Sequence, residues 1–490
     1  MTGNEIVYMS IFEQADLIKR KEISPVDLVK VYLKRIKKWD KVLHSWITIC
    51  SEQALAQAKK AEVEIAKGNY RGPLHGIPYG VKDQICTGTI PTTMASKIQK
   101  DFGGGINATV VDKMNSAGAI LLGKNNMHEF GRGGSVNFHF GEPRNPWNLK
   151  YEPSKSSSGS GIATAAGLCS GSLGEDTGGS ARAPAWANGI VGIRPTYGRV
   201  SRYGSIMYAW TQDTIGPMTR TVADNALLLK TIAGHDSKDL LSSSRPVPDY
   251  LKSLTGNLKG IKLGLVREMS VGVPLHPAVE KSLKDALAVL TSLGVTIEEI
   301  SMPKVKYAVP LQFVTSDVDV ASVIVKNWMN DYWTQFDVGT RTRIAAAALI
   351  PASVYSRAMR GRVLVRREIL DAFKTYDALV TLIHFAPPKS LEESREKIDT
   401  IEDVSRRIYN TMRVCTYPFS LANIPAISVP SGFTDDNVPL SIQIAAAPFN
   451  EDMVYRVAHA YEQATDWHTR HPDLEKSVGP AVKLVTKGEK

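Results

Sequence analysis

Apolar positions in the first 70 residues recur at helical spacing. Val26, Leu28, Val29, Val31, Leu33 and Ile36 follow the start Ser24-Pro25-Val26-Asp27. A capping hydroxyl, a first-turn proline and a carboxylate near the positive end mark a helix N-terminus. A second helix is predicted over Ser51 to Ala66, rich in Ala, Glu and Lys and stopped at Gly68. After Gly72-Pro73 the pattern changes. Short apolar runs (Ile77 to Val81, Ala119 to Leu122, Ile261 to Val266, Ala378 to Leu382, Ala426 to Val429, Leu440 to Ile444) alternate with helical stretches such as Pro277 to Leu293 and Glu451 to Ala464. That alternation predicts an α/β layered architecture around one sheet. No repeat or low-complexity linker interrupts it. One large domain over 71–490 is expected, with an N-terminal helical arm over 1–70.

The segment 307–336 stands apart. It is helix-like and aromatic, with Tyr307, Phe313, Trp328, Tyr332, Trp333 and Phe336. Core packing accounts for such residues. So does a cover over an apolar substrate pocket within 300–340.

Composition narrows the class. The chain has 490 residues, 43% hydrophobic and 22% charged, as a globular protein does. No run approaches the ~18–20 apolar residues of a membrane span, and the start lacks a secretion signal. A cytoplasmic protein without membrane contact is expected. Cys50, Cys86, Cys169 and Cys415 are scattered and form no CxxC pair, so they read as buried free thiols. The net charge of +10 is spread along the chain. Its densest clusters, Lys34 to Lys38 and Arg357 to Arg367, read as solvated helix faces, so no nucleic-acid partner is expected.

Several chemistries lack their signals. There is no GxSxG elbow, no HExxH and no Walker loop. No metal and no cofactor are expected. What is present is a lysine and two serines in unusual company. Lys82 ends the apolar run Ile77 to Val81. A lysine drawn inward there loses hydration, which favours its neutral amine and suits it to act as a base. Ser180 follows Thr177-Gly178-Gly179. Paired glycines let several N–H groups converge on one point, where a carbonyl under attack develops negative charge. Pro184-Ala185-Trp186-Ala187 reads as a helix start just beyond. Ser156 lies upstream in Ser156-Ser157-Ser158-Gly159-Ser160-Gly161, and a small-residue helix over Ile162 to Gly171 would bring the two serines together. On composition alone the Ser/Gly run is equally a flexible loop.

Taken together, these motifs resemble the amidase signature family from about Pro73 through Pro472. The matching pieces are Gly76-Ile77-Pro78, Val81-Lys82-Asp83, Gly141 to Trp147, Ser156 to Gly161 and Asp176 to Ala185. Gly192 to Gly198, Asp213 to Met218 and Pro425 to Pro430 follow in the same order. The resemblance implies an α/β/α domain around a mixed sheet and a Ser–cis-Ser–Lys catalytic set. Ser180 is then the nucleophile, Ser156 the bridging serine in a cis peptide, and Lys82 the base. The backbone of Thr177, Gly178, Gly179 and Ser180 would hold the oxyanion, and Asp176 and Arg182 would shape the loop. Phe130, Gly131 and Arg132 fall where relatives line the acyl site. One departure is plain: Ser154-Lys155 and Ser158 stand where relatives carry glycines.

Within that family, one branch is the glutamine-hydrolysing subunit of tRNA-dependent amidotransferases, which uses a carboxylate to hold the glutamine ammonium. Here Arg413 takes that place, in Met412 to Pro418. A cation would repel an ammonium, so the sequence favours a free-standing amidase instead. Met207, Tyr208, Trp210 and the aromatic segment suggest an apolar or aryl amide, or a carbamate. The partners expected are that small molecule and, at most, a second copy in a homodimer. A non-catalytic scaffold is the remaining reading, and the intact Lys82, Ser156 and Ser180 count against it.

Overall fold

The computed structural model describes residues 3–98, 101–132, 138–394 and 414–488. Among these, eleven strands form one sheet: β1 Trp46–Ile49, β2 Pro78–Lys82, β3 Ile120–Asn125, β4 Gly171–Asp176, β5 Val191–Arg194, β6 Thr214–Thr219, β7 Lys262–Val266, β8 Thr296–Ile300, β9 Ala378–Leu382, β10 Ala426–Phe433 and β11 Pro439–Ala446. Their order is β1-β3-β2-β4-β6-β5-β10-β11-β9-β7-β8. The sheet is mixed. β2 runs parallel to β3 and β4, while β4, β6, β5, β10, β11 and β9 are joined by antiparallel pairings. The mixed α/β architecture implied by the sequence is the one observed.

Local signals place most elements. The helix Pro25–Leu43 begins where Ser24 Oγ accepts the Asp27 N–H at 3.0 Å. The helix Ser51–Ala66 has the expected bounds. Helices Pro277–Ser292 and Glu451–Gln463 pack on β10 and β11. The region before residue 70 also supplies β1, which pairs antiparallel with β3 at the edge of the sheet. Cys86, Cys169 and Cys415 are buried free thiols; Cys50 is partly exposed.

The stretch between the serines differs from expectation. The helix is Ser158–Ala165, and β4 follows it. Gly159 lets this helix lie against neighbouring backbone: a Cβ there would collide with Ser45 O and sit 2.5 Å from Asn126 N. The strand was hidden because Gly-Ser-Leu-Gly-Glu-Asp shows no alternation. All six of its residues are buried, and a strand covered on both faces loses the period-two signal. Because β2 and β4 are parallel, their C-terminal ends meet at one end of the sheet, where open α/β sheets place ligands.

Candidate active site

Lys82 is the last residue of β2 and is fully buried. Its Nζ donates to Ser156 Oγ at 2.9 Å, although the two residues are 74 positions apart. Nζ also lies 2.8 Å from Oε2 of Glu175, the penultimate residue of β4. Burial drives the Lys82 ammonium below the ordinary lysine range, against the opposing pull of the Glu175 and Asp213 carboxylates. The amine thus sits between the Ser156 hydroxyl and the Glu175 carboxyl group.

The serine loops are locked by Ser157 as well. The Lys155–Ser156 peptide is cis, as the resemblance implies. The Ser157 N–H donates to Ser180 O, and Ser157 Oγ donates to Glu175 O, each at 3.2 Å. Ser180 itself is 4% exposed, so only a narrow opening reaches it. The helix Arg182–Asn188 starts two residues later. A methyl group on Gly131 would stand 3.6 Å from Ser156 Oγ and 4.0 Å from Lys82 Nζ. Gly131 therefore borders the site closely.

The loop 177–180 owes its path to its glycines. Gly179 has φ +106°, and a Cβ there would lie 2.5 Å from Thr416 Oγ1. A Cβ on Gly178 would lie 2.7 Å from Tyr417 Cε1. Thr416 Oγ1 in turn donates to Gly178 O at 2.8 Å. Behind the loop, Asp176 accepts the Gly179 N–H at 2.7 Å and both Nε and Nη2 of Arg182 at 3.0 Å. Burial alone would raise the Asp176 carboxyl. Arg182 and Arg194 outweigh it and hold the group well below the usual carboxylate range.

Phe130 and Arg132 flank Gly131 differently. Phe130 is buried and stacks on Phe336 and Trp328, with centroids 5.0 and 5.9 Å away. The aromatic segment thereby meets the site through Phe130. Arg132 pairs with Asp317 at 3.2 Å and reaches Thr177 Oγ1 at 3.4 Å. Gln84 Oε1, Arg132 Nε, Tyr208 Oη and Gln312 Oε1 are buried without a hydrogen-bond partner among the described residues. Gln84 stands beside Gly131 and Gln312 beside Gly178, so both borders of the site carry open polar atoms. Arg413 lies outside the described residues.

Sequence reasoning missed Glu175 and Asp213. Thr177 Oγ1 is 2.7 Å from Glu175 Oε1 and 2.7 Å from Asp213 Oδ1. A charged residue inside an otherwise small-residue run was the available signal for Glu175. Asp213 carried none beyond its place in a matching motif. Among the described residues, no group of three His, Cys, Asp or Glu could hold a metal ion, and no helix is long and apolar enough to cross a membrane.

The Amidase family model matches residues 27–455. The chain belongs to the amidase signature family. It is a hydrolase acting on amide C–N bonds. It is 39% identical to the A subunit of glutamyl-tRNA(Gln) amidotransferase from Geobacillus stearothermophilus, over 95% of this chain and 99% of that relative. The crystal structure of the corresponding protein from Thermotoga maritima is similar with a TM-score of 0.77 at 31% identity, covering 93% and 94% of the two chains. 6-Aminohexanoate cyclic dimer hydrolase in complex with its substrate is similar with a TM-score of 0.85 at 25% identity, covering 96% and 99%.

These relatives correct the partner expectation. A small-molecule amide or carbamate alone, no nucleic acid and at most a homodimer is not what full-length similarity to part of a tRNA amidotransferase supports. The reason for the error is physical. Spread-out charge and acyl-transfer motifs report on solubility and on the reacting bond, and neither reports which macromolecules dock on the surface. Arg413 is one charge at one position, set against likeness along the whole chain.

Proposed function

We propose that this chain is the glutamine-hydrolysing component of a tRNA-dependent amidotransferase, working through an acyl-enzyme on Ser180. Full-length similarity at 39% identity carries the reading, and the polar atoms left open around the site suit a polar substrate. Neutral Lys82 takes a proton from Ser156 as Ser156 takes one from Ser180, and Ser180 Oγ attacks the amide carbon. The N–H groups of Thr177, Gly178 and Ser180 would hold the oxyanion, while the Gly179 N–H is taken by Asp176 Oδ1 behind the loop. Lys82 and Ser156 return a proton to the leaving nitrogen, and water then releases the acyl group. Asp176 and Arg182 hold the loop, while Phe130, Gly131 and Arg132 border the acyl side.

One observation favours a second reading, an apolar or aryl amide or carbamate as substrate. The stack of Phe130 with Trp328 and Phe336 makes an aromatic wall beside Gly131, and segment 300–340 would cover the pocket. Arg413, set against an ammonium, argues the same way. Ammonia release from glutamine, compared with turnover of nitroanilides, carbamates and simple primary amides, separates the two, with Ser180→Ala as control. Preference for glutamine, raised by proteins and tRNA that copurify from the native cell, supports the first reading. Preference for an aryl substrate overturns it.

A further inference from the structure

Three oxygens stand in line beside the lysine. Glu175 Oε1, Thr177 Oγ1 and Asp213 Oδ1 are joined by two contacts of 2.7 Å. All three residues are buried: Glu175 and Asp213 are each 1% exposed and Thr177 is 5% exposed. Each oxygen–oxygen hydrogen bond needs one proton. The threonine hydroxyl supplies one, so a carboxyl must supply the other. One acid of the pair therefore carries a proton while the other is ionised.

We propose that Glu175, Thr177 and Asp213 form a proton-sharing chain that sets the charge on Lys82, with Glu175 and Asp213 as positioning residues of the hydrolytic site. The proposal rests on reading Lys82 as the base. In one arrangement Asp213 is protonated and donates to Thr177, Thr177 donates to Glu175, and the Glu175 carboxylate holds Lys82 as ammonium. In the other, Glu175 Oε1 is protonated and donates to Thr177, and Thr177 donates to Asp213. The interchange shifts two protons along two existing hydrogen bonds and leaves the net charge unchanged. It moves the negative charge away from Lys82. Lys82 Nζ then faces the neutral carbonyl oxygen Oε2. With no anion beside it the ammonium gives up one proton to solvent at lower pH, and the neutral amine left donates to Oε2 while its lone pair accepts the Ser156 proton.

The surroundings make both arrangements reachable. Asp213 Oδ2 accepts the N–H groups of Tyr208 and Ala209 at 2.8 and 3.0 Å, which stabilises its ionised form. Burial and the Glu175 charge push Asp213 up to about 6, against the field of Arg132. Of the other charged groups, Arg132 approaches Thr177 from the turn after β3 while paired to Asp317. Arg194, on β5, is engaged by Asp176. The Tyr208 phenol is raised well above its ordinary range by burial and stays neutral.

The test exploits opposite signs. The rate at which a fluorophosphonate labels Ser180 is followed against pH. Its rise with pH reports the loss of the Lys82 proton. Glu175→Gln removes the anion beside Lys82, so the rise moves to lower pH. Asp213→Asn and Thr177→Val strand the charge on Glu175, so the rise moves to higher pH. Each shift is expected at about one pH unit or more, since a single charge at this range moves a pKa by about 1–3 units. Thr177→Ser keeps the hydroxyl and restores the wild-type profile. Should a carboxylate variant fail to fold, the Thr177→Val and Thr177→Ser pair decides alone. Shifts in the same direction for Glu175→Gln and Asp213→Asn, or none in Thr177→Val, overturn the proposal. Labelling that survives in Ser180→Ala or is undiminished in Lys82→Ala instead overturns the reading of the site.

Discussion

Glu175 and Asp176 are neighbours on β4, both buried, and the protein treats them in opposite ways. Asp176 accepts from two arginines and a glycine N–H. Its charge is fully satisfied and held permanently, and it fixes the loop that carries Ser180. Glu175 meets one lysine and one hydroxyl that it shares with another acid. Its charge is left negotiable. A buried carboxylate surrounded by donors is a structural rivet; one that shares a proton with its neighbours sits where chemistry is done. The same strand end thus supplies rigidity on one side and proton mobility on the other.

That contrast breaks most visibly at the lysine. Lys82→Ala is expected to lower turnover about 10²–10⁴-fold by removal of the proposed base, while leaving the melting transition nearly in place, because the Thr177 hydroxyl stays within hydrogen-bond reach of Glu175 when its cation is gone. Steady-state assays and calorimetry on one preparation check both halves. If Lys82→Ala melts far below wild type, Glu175 is a rivet too and the contrast fails.

Next comes Asp176→Asn. It leaves Arg182 and Arg194 buried against a neutral amide, and uncompensated buried charge costs about 3–5 kcal/mol. Chemical denaturation measures it, and a loss below about 1 kcal/mol would contradict the rivet role. The sign with pH follows from the depressed carboxyl: the stabilisation is present above the unfolded-state value and is lost as pH falls toward the folded one.

A smaller effect is expected at Gly179→Ala. The new methyl meets Thr416 Oγ1 at 2.5 Å in a left-handed backbone, a strain of about 1–3 kcal/mol. Ser180 labelling should fall more than thermal stability does. A fully active Gly179→Ala enzyme would show that the loop path does not matter.

The smallest effect sharpens the comparison with a third buried acid. Among the described residues Glu462 has no arginine or lysine partner; it accepts the Val222 N–H at 2.8 Å. Burial, with Asp224 nearby, pushes it up to about 8 from an ordinary 4.5. As pH rises through that window the unfolded chain ionises first, so the wild type loses stability between those values. Glu462→Gln cannot ionise and is expected to melt higher than wild type at pH 8 and level with it at pH 5. Equal melting at both values would place the Glu462 carboxyl at its ordinary range.

Much of the site was legible in the chain because motifs are local. Lys82 at the end of an apolar run, and Ser180 after two glycines, were identified from their immediate neighbours. Six apolar runs marked β2, β3, β7, β9, β10 and β11. β4 and β6 escaped because glycine, serine, threonine and proline make up at least half of their residues, β5 because it is only four residues long, and in all three burial on both faces erases alternation. Glu175 and Asp213 escaped with them: a carboxylate acquires meaning only from what faces it.

From its sequence alone, the chain determined its α/β class, its helix caps and the residue types able to attack an amide, since each depends on a few adjacent side chains. Tertiary packing alone decided that Lys82 meets a glutamate 93 positions away, that Thr177 stands between two acids, and that Phe130 stacks on Phe336. Those contacts depend on which strands run side by side and on the exclusion of water between them. No short stretch of residues encodes either.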